Sequence, residues 1–457
     1  MKIKLYDKSK IDFNNLMFTG VDLRKLLIPV ILEQLLNSLM GMMDTVMVSN
    51  VGEAAISAVS LVDALNVLVI QVFSALATGG TIICSQYLGS GDKKKSNNAA
   101  RQVTLTIAVI SGAMALICIL FKKSLLIMIF GTVEADVMSA SVTYFWITAL
   151  SFPALALFSA GSAFYRACGN TRFPMKVSVI SNVINIAGNY ILIFIFDMGV
   201  AGAAYATPLS RVFCMVVIFA YLRFPKQDIV IDDYMSIRPD FPLIKKILAV
   251  GVPSGIENGM FQFGKLAIQS SVSTLGTTAI AAQAMTIIME SLNGIGGIGV
   301  GIAMMTVVGQ CIGAGRKEEA KYYIVKLTWI GELVVLASCI IVYAMSKPVA
   351  LIGGMTAEGT RLFMEMMLAI TIVKPIVWTL SFIPSYGLRA AGDVKFSMIL
   401  SSITMWACRV ALATYLIRVA GFGPMAVWIG MFADWTLRGI AFTWRYFSGK
   451  WLEKKVI

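Results

Sequence analysis

The sequence predicts an all-α membrane protein, with twelve transmembrane helices in two pseudo-symmetric six-helix lobes. Composition, the spacing of apolar runs and an internal repeat carry that prediction. Of 457 residues, 58% are hydrophobic and 14% charged, whereas an ordinary soluble domain is about 25% charged. Mean hydropathy is +0.80. A soluble globular enzyme is excluded by these values.

Each span needs about 20 apolar residues. Apolar runs between Gly, Pro and charged punctuation give helices at 26–48, 55–87, 103–121, 140–165, 176–197, 200–222, 244–270, 279–311, 323–346, 361–388, 397–418 and 424–446. The second and eighth are long enough to require tilt or projection beyond the bilayer. Pro153 and Pro375 predict kinks in the fourth and tenth. Connections on the side of the termini hold 28 Lys and Arg, against five on the other side. The positive-inside rule then predicts cytoplasmic termini and a multi-pass protein of the plasma (cell inner) membrane. No cleavable signal is expected, because the first apolar run follows a polar stretch and is too long for an h-region.

The repeat supplies the lobes. A shift of 224 residues superposes Pro29 on Pro253, Glu33 on Glu257, Gln86 on Gln310, and Gly89 and Gly91 on Gly313 and Gly315. A shift of 223 later pairs Arg166 with Arg389 and Gly169 with Gly392. Six spans per half is an even number, so the halves are parallel repeats about an axis along the membrane normal. The polar stretch 223–240 joins an N-terminal lobe, 1–235, to a C-terminal lobe, 236–457. Two such lobes with a cavity between them form a transporter architecture.

Absences narrow the chemistry. The chain has no His, so a His metal site or His general base cannot exist. Its seven Cys are isolated, mostly within apolar runs, and read as packing residues. The 27 Met read first as membrane packing, with an adaptable cavity as the second reading. Gly259–Lys265 begins like a phosphate loop, but Leu266 follows and no strand precedes. ATP is therefore not expected as the direct energy source, and no nucleic acid partner is expected. Without a nucleophile–base set, an enzyme is not expected either.

Charge inside a span costs at least ~2.5–3.5 kcal/mol and marks function. On the first helix, Glu33, Asn37, Met40 and Asp44 recur on one face, as do Asn182, Asn185 and Asn189 on the fifth. If those faces meet, Asp44 gains amide partners suited to holding a proton or Na+. The alternative is interhelical polar glue, worth ~0.6 kcal/mol per contact. On the seventh helix, Glu257 and Lys265 are too far apart to pair with each other. Glu290 is the candidate partner for Lys265 and Lys374 for Glu257, with Arg409 also available. These groups form either a static ion-pair network or a cavity lining.

The segments MDTVMVSNVG from Met43, SQYLGSGDKKK, CGNTRFPM and NIAGNYILIF resemble, in that order, the MATE (multidrug and toxic compound extrusion) transporters. The resemblance implies export of bulky, often cationic organic compounds, driven by inward flow of H+ or Na+. It also implies that an acidic residue on the first helix faces polar or acidic residues on the fifth, which here are Asp44, Asn185 and Asn189. Many members carry an acidic residue eight positions after the Pro of the seventh helix, where this chain has Phe261.

The expectation is a monomeric secondary-active multidrug exporter working by alternating access. Cation coupling is assigned to Asp44, Asn185 and Asn189, which would also be the Na+ ligands if Na+ is the coupling ion; no other cofactor is expected. Glu33, Asn37, Met40, Asn182, Glu257, Phe261, Lys265 and Glu290 are assigned to the cavity, which takes small organic substrates beside membrane lipid. A lipid or glycan-lipid flippase of related architecture is the alternative.

Overall fold

The computed structural model describes residues 5–49, 53–131, 134–225, 227–234, 237–454 and 456–457, with the side chains at 41–46, 48–49 and 53–54 outside that description. Among these residues there is no strand, and the long helices follow the twelve expected spans. They are Gly20–Ser49, Glu53–Gly89, Lys93–Leu120, Ala135–Leu150 continued by Phe152–Ala167, Arg172–Ile195, Gly199–Leu222, Phe241–Val272, Thr277–Gly313, Lys317–Ile352, Ala357–Ala390, Val394–Arg418 and Met425–Ser448. They are called the first to twelfth helices below. Eight of them, or nine with the fourth, are long and apolar enough by composition to cross a membrane. The seventh and twelfth carry buried charge within their apolar sequence.

The repeat is visible in the helix ends. The second and eighth helices are both 37 residues long, and each end is displaced by 224 residues. The fourth and tenth end at Ala167 and Ala390, which is the later 223-residue register. After each of these four helices a glycine takes the left-handed conformation, with φ of +80° at Gly91 and Gly169, +74° at Gly315 and +102° at Gly392. A side chain is strained there. The turns close with paired amide bonds, as Asp92 N to Tyr87 O at 3.1 Å and Gly91 N to Leu88 O at 3.0 Å, which satisfies the final carbonyls of the helix.

The fourth helix bends by 43° at Ser151, because Pro153 lies in the first turn of its second piece and cannot extend the preceding helix. Pro375, by contrast, lies within a helix assigned without interruption from Ala357 to Ala390. The fifth and eleventh helices each contain a π-helical stretch, Tyr190–Ile195 and Met405–Leu412. The second of these carries Arg409.

Packing divides the chain into two compact units, Arg24–Gly255, and Met1–Leu23 with Ile256–Ile457. These differ from a division at 235/236, since 236–255 go with the N-terminal unit and 1–23 with the C-terminal one. Glycine explains the first difference. A Cβ on Gly79 of the second helix would lie 3.1 Å from the Gly251 nitrogen, so the seventh helix starts backbone to backbone against the second. The second difference rests on a polar anchor. Met17 N donates to Glu319 at 2.6 Å, and Phe18 N to the Tyr323 hydroxyl at 2.9 Å.

In the C-terminal unit, Met289, Met366 and Met367 pack with Phe363, Ile370 and Trp428 in one buried cluster. These methionines are core filling. The Trp428 indole satisfies its N–H on Gln283 at 2.9 Å. All seven cysteines are free, and all but Cys168 are buried.

Candidate functional site

In the N-terminal unit, Asn182, Asn185 and Asn189 are buried at 9%, 0% and 1% exposure. Their spacing puts them on one face of the fifth helix, and that face is covered. Asn182 Nδ2 donates to Leu36 O of the first helix at 3.3 Å, so the fifth helix packs against the backbone of the first at that point. Asn189 Nδ2 donates to Asn185 Oδ1 at 3.3 Å, and Asn185 Nδ2 to Thr207 Oγ1 at 3.5 Å. Asp44 is helical, and its side chain lies outside the described residues.

The other first-helix candidates separate. Glu33 is buried, 3% exposed, with Oε1 at 3.3 Å from the Arg166 guanidinium at the end of the fourth helix. Asn37 is exposed and Met40 half-buried. A second polar group joins three helices of this unit. Asp63 accepts from Asn66 Nδ2 at 3.3 Å and also interacts with Tyr144 and Arg211.

The C-terminal unit holds a chain of alternating charge. Arg389 lies 3.2 Å from Glu257 Oε1, and Arg438 lies 3.7 Å from the same oxygen and 3.8 Å from Asp434. Arg409 Nε reaches Asp434 Oδ2 at 2.6 Å. Ser397 donates to Glu257 Oε2 at 3.3 Å. Lys374 binds Glu290 Oε1 at 2.5 Å and its carbonyl at 3.0 Å. The expected pairing of Lys374 with Glu257 and Glu290 with Lys265 is thereby corrected. Glu257 sits beside two arginines, and Lys374 reaches across to the eighth helix.

Phe261 stands in the middle of this cluster. The Arg409 guanidinium is 4.5 Å from its ring centroid, Arg438 5.9 Å and the Lys265 ammonium 6.0 Å. Arg438 also lies 4.5 Å over Phe382. A ring face attracts cations through its quadrupole, so the phenyl group partly replaces a carboxylate. Four buried or half-buried cations, Arg389, Arg409, Arg438 and Lys374, face three carboxylates, Glu257, Asp434 and Glu290. Lys265 is exposed at the edge.

Sequence reasoning missed Asp63, Arg166, Arg211, Arg389, Asp434 and Arg438. Arg211, Asp434 and Arg438 are charges inside apolar runs, the same signal that marks Asp44. Arg166 and Arg389 sit at helix ends and read there as positive-inside residues. Their repeat relation to Glu33 and Glu257 was the available sign.

The profile of the MatE family matches residues 29–191 and 253–415, two copies displaced by 224 residues. The chain belongs to the MatE family. Membership makes it a membrane transporter and not an enzyme. Relatives agree over nearly the full length. A probable multidrug resistance protein NorM from Thermotoga maritima is 29% identical over 443 residues, 95% of this chain and 94% of the relative. Multidrug resistance protein MdtK from Proteus mirabilis is 25% identical, covering 94% of each. A structure described as an outward-facing conformation of a multidrug resistance MATE family transporter superposes with a TM-score of 0.88. It is 20% identical and covers 95% of this chain and 96% of the other. A MATE protein solved in complex with MaD3S has a TM-score of 0.87 at 20% identity, over 95% and 97% of the two chains. This MatE transporter therefore shares the twelve-helix fold of two six-helix lobes.

Proposed function

We propose that this MatE protein is a secondary-active multidrug exporter of the plasma membrane, moving bulky, often cationic organic compounds outward against H+ or Na+. Full-length similarity to relatives named for multidrug resistance supports the activity. The observation that carries the coupling site is the Asn182 contact with Leu36. Both helices run in the same direction from that point. Asn189, seven residues on, then falls about 10 Å deeper, level with the turn of the first helix that contains Asp44.

A carboxylate beside buried amides can hold a proton or, through carboxylate, amide and backbone oxygens, a hard cation. Binding there drives transport only if the two conformations hold the ion unequally. Na+ in this reading is a transported ion, with Asp44, Asn185 and Asn189 as its ligands. Both termini lie in the cytoplasm in this reading, and the transporting unit is a monomer.

The test is efflux of a fluorescent organic cation from vesicles under a pH gradient or a Na+ gradient alone. Gradient-driven efflux that vanishes in Asp44→Asn supports the proposal and names the ion. An unaffected mutant overturns it. The flippase alternative calls for a basic lateral groove, which a structure-guided search for phosphate binding would reveal.

A further inference from the structure

We propose that a hollow among the ninth, tenth and twelfth helices of the C-terminal unit is a binding site for lipophilic organic cations taken from the bilayer, with Glu332 as the counter-charge. The exporter reading explains where such a cation goes next. The binding step does not depend on it.

The hollow lies among the ninth, tenth and twelfth helices, with a volume of about 420 Å³. That is the size of a site for a drug-like molecule, roughly 300–1,000 Å³. Thr328, Trp329 and Glu332 form one stripe of the ninth helix, at the spacing that puts side chains on one face. Ile376 and Leu380 of the tenth helix form the opposite wall, and Tyr446 lies near the twelfth-helix end. Among the described residues Glu332 is the one carboxylate in the lining, which includes no Lys or Arg. No described Lys or Arg lies within ion-pair distance of it, and its polar neighbour is the Thr379 side chain, a neutral group that leaves the charge unmatched.

Depth selects the ligand. Glu332 is six residues beyond Lys326, about 9 Å deeper along the helix, within the longest apolar stretch of its span. A carboxylate at that level costs at least ~2.5–3.5 kcal/mol on insertion scales unless something offsets it. Phospholipid ammonium groups stay with the headgroups and do not reach this depth. Anionic lipids are repelled. A cation whose charge is wrapped in apolar groups can reach it, with the exposed Trp329 ring offering a cation–π face.

The structure contains its own control. A second hollow of about 490 Å³ adjoins the first between the tenth and twelfth helices and shares Ile376, Leu380, Thr443 and Phe447. Its lining has no acidic or basic side chain. Acyl chains and neutral amphiphiles have no reason to prefer one hollow over the other. A lipophilic cation does.

The experiment uses the full chain in phosphatidylcholine nanodiscs, with a photoreactive triphenylphosphonium cation and a neutral triphenylmethyl analogue of the same shape. Crosslinked positions are mapped by mass spectrometry. The cation should label 325–332 at least tenfold more than 435–440, which lines the second hollow alone, and the neutral analogue should label both alike. Glu332→Gln should bring cation labelling down to the neutral level. Equal labelling of both hollows by the cation, or unchanged labelling in Glu332→Gln, shows a lipid groove only and overturns the proposal.

If Glu332→Gln does not fold, Thr328→Trp, which fills only the first hollow, should remove labelling there and keep it at 435–440. Retained labelling at 325–332 would overturn the site. Gradient-driven efflux measured alongside keeps the two readings separate. Glu332-dependent labelling without efflux leaves the site standing and removes the exporter.

Discussion

Glu257 and Arg389 lie 3.2 Å apart in the C-terminal unit, and their repeat counterparts Glu33 and Arg166 lie 3.3 Å apart in the N-terminal unit. Each pair ties the first helix of a lobe to the end of its fourth. The same ion pair therefore occurs once per repeat, at matched positions. Beyond it the units diverge, with amides on the fifth helix in one and an extended charge chain in the other.

Removing Glu257 leaves Arg389 and Arg438 facing each other without their anion. Stranding one partner of a buried pair costs about 3–5 kcal/mol. Glu257→Gln should lower the thermal midpoint in detergent clearly, and Arg389→Gln together with Glu257→Gln should lower it less than the two single effects summed. Additive losses would show that the two residues do not act as a pair.

Asp434 and Phe261 answer to the same cations. Asp434→Asn should destabilise the unit, since Arg409 loses its 2.6 Å carboxylate. Adding Phe261→Glu should recover part of the loss, because the new carboxylate arises where Arg409 now stacks on the ring. The pair of variants is compared by unfolding midpoint. A double variant weaker than Asp434→Asn alone would mean that the ring is needed for packing and not for holding charge.

Glycines on the eighth helix separate close packing from chain flexibility. A Cβ on Gly301 would meet the Tyr386 ring at 2.4 Å, and one on Gly297 the Trp378 ring at 2.6 Å. Alanine at either should cost about 1–3 kcal/mol through overpacking. Gly112→Ala on the third helix meets nothing within 4 Å and should stabilise by about 0.5–1 kcal/mol through chain entropy. The three midpoints should rank in that order.

The connector supplies a pH prediction. Asp232 sits against Arg101, and hydrogen bonds from its own backbone amide and from Arg101 hold its carboxyl below the usual 3.8. A depressed carboxyl strengthens docking above its unbound value and loses that contribution only as pH falls through the lower docked one. Protection of the Val230 and Ile231 amides, bonded to Asn97 and to Leu222 O, should therefore hold from pH 8 down to about 4. It should weaken with salt and in Asp232→Asn. Protection lost near neutral pH would place the controlling group elsewhere.

Much of the architecture was legible in the chain. Apolar runs at bilayer length, the 224- and 223-residue registers and the glycines at 91, 169, 315 and 392 are local or periodic signals, and bilayer thickness and backbone sterics act on them residue by residue. The three asparagines of the fifth helix were legible for the same reason, since helical spacing alone puts them on one face.

Partners were not legible. Lys374 and Arg389 are equally suitable cations for Glu257 by charge, and only the tertiary packing of the seventh, tenth and twelfth helices decided that Arg389 and Arg438 take it while Lys374 goes to Glu290. Buried charges choose partners by distance and desolvation, which depend on helix rotation and crossing, and no periodicity encodes those. The sequence by itself determined the spans, their pairing by repeat and their polar faces. The tertiary structure decided which faces close over which charges, because Coulomb attraction in a low-dielectric interior is settled over a few ångströms.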